Sequence, residues 1–257
     1  MKTLALLLAL VAALPFGFDG DDVPTRKEQQ KLVDEYFEVD AWTSEGRARR
    51  AEIVASLEVV PPLKRGDVKS WTKRVEKAWK ELPTLEKSSG QAFLYPDAEP
   101  DQARGLYIVG GNTGKPKGLL IAMHGGGVGS GDAAPMAAGY NSPASKRDLL
   151  MIAPEVLEKT ECGWTDSGTE EFVLQLVERA LRTWKIDPDR VYFSGHSMGG
   201  YGSWTLGAHH ADRLAAAAPS AGGPTPMMDI NGEFYDIVEG VVPNLRNLRV
   251  CCYQSAD

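Results

Sequence analysis

The run Val191-Tyr192-Phe193-Ser194 passes without a break into Gly195-His196-Ser197-Met198-Gly199-Gly200, and this junction constrains the fold more than any other part of the chain. A short β-branched and aromatic run reads as a buried strand, and the stretch from about Gly200 to His209 reads as a helix. Only a tight turn can join them. Such a turn drives Ser197 into a backbone conformation that most residues avoid, and it needs glycine on either side because side chains there collide with strand and helix. Ser197 is then held up at a strand end and a helix start, where unpaired N–H groups and the helix dipole favour negative charge. It is the candidate nucleophile, and the Met198 N–H is a candidate donor to an oxyanion.

A second motif agrees with the first. His124-Gly125-Gly126-Gly127 directly follows the apolar run Gly118–Met123. The amides of Gly125 and Gly126 carry no side chain that would keep an oxygen away, so they are candidates for the remaining oxyanion donors.

From about residue 91 onward, short apolar runs separated by Gly- and Pro-bearing turns alternate with helical stretches. The runs Ala92–Tyr95, Gly105–Val109, Gly118–Met123, Leu149–Ala153, Val191–Ser194, Ala215–Pro219 and Leu248–Tyr253 read as strands. The clearest helix runs from about Thr169 to Trp184, with Phe172, Leu176, Val177, Ala180 and Leu181 on one face. This alternation predicts an α/β domain over residues 91–257: a mostly parallel sheet with helices on both faces. At 257 residues and 43% hydrophobic composition, the chain can bury a core of that size.

Ahead of it, residues 21–90 read as a helical N-terminal extension. Apolar residues recur at helical spacing around Leu32–Phe37, Ile53–Leu57 and Trp71–Trp79, with Pro61-Pro62 and Pro83 as breaks. Residues 1–20 read as a signal peptide, with Lys2, the apolar run Leu4–Leu14 and then Pro15. That run is shorter than the roughly 20 residues a membrane span needs, so the mature protein is expected to be soluble, and secreted or periplasmic. With 28 Lys and Arg against 35 Asp and Glu, the charge of −7 argues against nucleic acid as a partner. Cys162, Cys251 and Cys252 lack disulfide or CxxC spacing, and the adjacent pair is expected to be buried in its apolar run. No cofactor and no metal site is expected. Asp19, Asp21 and Asp22 offer the one candidate for calcium.

The stretch Asp187 to Trp204, continued through His210 to Gly223, resembles the core of secreted α/β-hydrolases. The most similar branch contains polyhydroxybutyrate depolymerases, feruloyl esterases and prolyl oligopeptidase-like hydrolases. The resemblance covers about Lys117 to Asp257. It implies a cofactor-free serine hydrolase acting on small or polymeric carboxylic esters, with a peptidase of prolyl oligopeptidase type as a variant. It does not select a substrate.

A serine hydroxyl needs a general base and usually a carboxylate that orients it. In this fold the chain order is Ser, acid, His. Gln254-Ser255-Ala256-Asp257 resembles the family's turn into the catalytic aspartate, so Asp257 is the candidate acid; Asp212, Asp229, Glu233, Asp236 and Glu239 are rivals. The four histidines, His124, His196, His209 and His210, all precede that acid. His209 lies about 12 residues along a helix from Ser197, roughly 18 Å away. His124, His196 and Trp164 are candidates for lining the pocket. The expectation is therefore a C-terminally truncated enzyme lacking its last strand, helix and histidine. The alternative is a non-catalytic hydrolase-like binding protein that keeps the turn without the base.

Overall fold

The computed structural model describes residues 23–96, 103–224 and 242–254. The expected signal segment, the calcium candidates Asp19, Asp21 and Asp22, and Asp257 lie outside the described residues, as do Asp229, Glu233, Asp236 and Glu239. The chain divides into two compact units between Pro83 and Thr84.

Among the described residues, the first unit contains three helices, α1 (Arg26–Glu38), α2 (Ser44–Glu58) and α3 (Arg65–Glu81). Thr25 starts α1 through a capping box, its hydroxyl accepting from the Glu28 N–H while the Glu28 carboxylate accepts from the Thr25 N–H at 2.7 Å. Thr43 caps α2 by accepting from the Gly46 N–H at 3.0 Å. Each helix buries one large apolar residue: Val33, Ile53 and Trp71. Arg74 pairs with Asp34, and Arg49 with Glu35.

Among the described residues, the second unit is built on seven strands: β1 (Gly90–Tyr95), β2 (Arg104–Gly111), β3 (Gly118–Met123), β4 (Leu149–Pro154), β5 (Val191–His196), β6 (Ala216–Ser220) and β7 (Arg249–Val250). They lie in the order β1-β2-β4-β3-β5-β6-β7. The pairs β1–β2 and β2–β4 are antiparallel, and the rest of the sheet is parallel. Central β3 is buried at all six positions, as a strand covered on both faces must be.

Strand alternation sends the two faces of β3 to different helices. Leu119, Ile121 and Met123 join the cluster containing Phe172, Leu176 and Val177 of α5 (Thr169–Trp184). Leu120 and Ala122 join Ala133, Ala137 and Ala144 of α4 (Ala133–Ser145). Helix α6 (Met198–His209) follows β5 directly. The parallel register of β3 and β5 sets Met123 opposite Gly195, so the turns that leave these two strands emerge side by side.

Two expectations need correction. The run Leu248–Tyr253 forms only the two-residue β7, with Tyr253 making an isolated bridge to Ser220. Cys251 and Cys252 are exposed rather than buried. Among the described residues this segment pairs with β6, and it buries Leu248 while leaving Cys251 and Cys252 in solvent.

Candidate active site

The β5–α6 turn is built backbone on backbone. Ser197 has φ 54° and ψ −119°, a strained region for any residue with a Cβ. A Cβ on Gly195 would stand 2.2 Å from the Gly199 carbonyl oxygen, and one on Gly199 would stand 2.1 Å from that of Met123. No side chain fits at either place. The Ser197 N–H donates to the Ser220 carbonyl at 2.9 Å, while Gly200 and Tyr201 N–H groups return to the Ser197 carbonyl at 2.7 and 3.0 Å. The end of β6 and the first turn of α6 together fix the half-buried Ser197. Ser220 was not singled out from sequence; its signal was the Pro219-Ser220-Ala221-Gly222 turn ending the next parallel strand.

The turn after β3 lies against this one. A Cβ on Gly125 would be 3.2 Å from the Ser197 Cβ and 2.9 Å from the His196 carbonyl oxygen. The turn closes on itself through Gly127 and Ser130, whose amides and carbonyls exchange hydrogen bonds at 3.3 and 3.0 Å. Among the described residues, the amides of Gly125, Gly126 and Met198 donate to no other group.

His124 and Trp164 do not line a pocket. They are 2% and 0% exposed and brace the glycine turn from beneath. His124 Nε2 accepts from the Val156 N–H at 3.2 Å, so the proton sits on Nδ1, which donates to the Gly125 carbonyl at 3.0 Å. Burial pushes its pKa below the ordinary imidazole value. The Trp164 indole N–H donates to the His124 carbonyl at 3.0 Å, with the two rings edge-on at 5.0 Å. Apolar and aromatic residues beside a functional turn read equally well as lining or as support, and burial decides for support.

His196 is exposed, with Nδ1 3.3 Å from the Ser220 hydroxyl. His209 and His210 stand at the far end of α6, both hydrogen-bonded to Glu170. Burial works against the Glu170 charge, but hydrogen bonds from the two imidazoles outweigh it and hold its pKa down to about 2. Asp212 lies in the turn just beyond that end. The Tyr253 carbonyl accepts from the Ala221 N–H at 2.8 Å, at the same sheet end as Ser197.

No family model matches the chain. It is 30% identical over 109 residues to a bifunctional acetylxylan esterase/xylanase of Neocallimastix patriciarum, covering 36% of this chain and 16% of that protein. It is 28% identical over 117 residues to poly(3-hydroxyalkanoate) depolymerase C of Paucimonas lemoignei, covering 41% and 28%. The chain thus spans less than a third of either relative's length. The structure of LpqC, a poly(3-hydroxybutyrate) depolymerase from Bordetella parapertussis, aligns with a TM-score of 0.43 at 17% identity, over 64% of this chain and 66% of that one. The chain has the α/β-hydrolase fold. The tight turn from β5 into α6 with glycine on either side of the serine is the one that fold carries. The described strands all fall in the unit from Thr84 onward, and among the described residues no helix is long and apolar enough to cross a membrane.

Proposed function

We propose that this α/β-hydrolase cleaves carboxylic esters through an acyl-enzyme on Ser197. The observation that carries the reading is the strained Ser197 lying against Gly125, with no backbone acceptor paired to the Gly125 or Met198 amide among the described residues. Ser197 Oγ attacks the ester carbonyl, forming a C–O bond as the carbonyl π electrons move to oxygen. The amides of Met198 and of Gly125 or Gly126 stabilise that oxyanion, and removing one such donor typically slows turnover about 100- to 1,000-fold. Collapse breaks the ester C–O bond, the proton given up by Ser197 Oγ leaves on the alcohol, and water then attacks the acyl carbon, its hydroxyl going to the acid and its other proton back to Ser197.

Asp257 is the orienting acid in this proposal. None of the four histidines stands as base. His124 is locked under the glycine turn, His196 leans on Ser220, and His209 and His210 are bound to Glu170. That observation favours a second reading, a hydrolase-like protein that binds an ester-bearing ligand without turning it over.

The relatives' names extend the proposal to short acyl esters on a polysaccharide or to a polyester, and the N-terminal pattern extends it to export from the cytoplasm. The test is labelling with a fluorophosphonate probe together with hydrolysis of p-nitrophenyl acetate, each compared with Ser197→Ala. Labelling and turnover that vanish in the variant support the esterase. Ester binding without labelling or turnover supports the second reading.

A further inference from the structure

We propose that Glu170, His209 and His210 form a binding site for a divalent transition-metal ion, with zinc as the best match. Glu170 lies in the first turn of α5; His209 ends α6 and His210 caps it. Nδ1 of His209 is 3.0 Å from one carboxylate oxygen of Glu170, and Nε2 of His210 is 2.6 Å from the other. All three potential ligand atoms lie within 4.8 Å of one another.

Two imidazole nitrogens and one carboxylate oxygen suit zinc, whereas calcium and magnesium require oxygen ligands. Neighbouring residues on a regular helix point about 100° apart, which would separate the two rings. Here His210 has left the helix, at φ −123° and ψ 34°, and swings back toward the same carboxylate. One ring offers its near nitrogen and the other its far nitrogen, with the ring planes 85° apart. The side chains are 28%, 26% and 18% exposed, so an ion can enter and a water can complete four-fold coordination. On binding, each ligating nitrogen yields its hydrogen-bonding position to the ion: a neutral imidazole carries its proton on the other ring nitrogen, an imidazolium releases one to solvent, and no redox step is involved.

The site sits at the opposite end of α6 from Ser197, about 18 Å along the helix axis. A bound ion would therefore tie the end of α6 to the start of α5 and take no part in chemistry at Ser197. Adjacent histidines with a glutamate 39 residues away carry no metal-binding spacing, so only the fold brings the set together.

The test is a titration of the EDTA-stripped full chain with zinc sulfate, followed by calorimetry and competition with a chromogenic chelator. One ion per chain is expected, weakened at least about 100-fold by Glu170→Gln and by the double change His209→Asn with His210→Asn. The change Cys251→Ser with Cys252→Ser should leave binding intact. Absence of stoichiometric binding overturns the proposal, as does binding that survives the first two variants or is lost with the cysteines. Cobalt loaded into the unaltered chain provides a test that needs no variant: visible bands without a thiolate charge-transfer band support the site, and a thiolate band overturns it.

Discussion

The two ends of α6 are held in opposite ways. At the Ser197 end, backbone meets backbone: Gly199 faces the Met123 and His124 carbonyls, and Gly195 faces Gly199. At the His209 end, polar side chains reach across to α5 through Glu170. The first arrangement fixes position by excluding every atom beyond a hydrogen, so it is stiff and intolerant. The second fixes position by charge and hydrogen bonding between partly exposed groups, so it is adjustable. The proposed nucleophile Ser197, which has to meet a carbonyl carbon within tenths of an ångström, stands at the stiff end.

The largest expected effect comes from adding one methyl group at that stiff end. In Gly199→Ala the new Cβ would stand 2.1 Å from the Met123 carbonyl oxygen and 2.7 Å from that of His124, and neither can rotate away. The strand end and helix start have to separate. A loss of about 3 kcal/mol is expected, with fluorophosphonate labelling lost even where the variant stays folded. Urea unfolding alongside labelling checks it, and a variant with unchanged stability would show that the turn is soft.

A middle-sized effect is expected at His124, whose two hydrogen bonds hold the glycine turn. His124→Gln should cost about 2 kcal/mol at pH 7, because Val156 N–H and the Gly125 carbonyl lose well-placed partners in a buried site. The pH dependence has a definite sign. The folded-state pKa lies below the ordinary 6.5, so the full contribution is present above that value and is lost as pH falls from 6.5 through the folded-state pKa. The gap between the two proteins should therefore narrow on acidification, as measured by urea midpoints from pH 7 down to 5. A gap that widens would contradict the assigned neutral imidazole.

Where the sequence was legible, a strong local pattern matched what the fold needed. Helix α5 has the bounds expected from its apolar face, Thr169–Trp184, and β3 has those of its apolar run, Gly118–Met123. The two glycine turns stood out because close backbone approach admits no other residue. Helix α4 escaped notice because its alanines and Pro143 carry little apolar periodicity. The fate of Leu248–Tyr253 depended on what covers the strand, which an apolar run does not encode. Trp164 and His124 could be placed only once β3 and the loop before α5 were seen to stack. The pairing of Glu170 with His209 and His210 spans 39 and 40 residues, and local spacing is silent at that range.

The smallest effect is expected at the adjustable end of α6. In metal-free protein, Glu170→Gln keeps the side chain's length and one acceptor oxygen while removing its charge. The group is 28% exposed, so solvent screens much of what is lost. A cost of about 1 kcal/mol or less follows, well below that of one methyl group at Gly199. Urea unfolding in EDTA measures it. If the cost instead equals that of Gly199→Ala, the Glu170 cluster locks α6 as firmly as the Ser197 turn does, and the contrast between the two ends fails. If zinc raises the stability of the unaltered chain but not of the variant, the adjustable end becomes stiff only when the ion is bound, because a ligand that binds the folded form alone stabilises it by mass action.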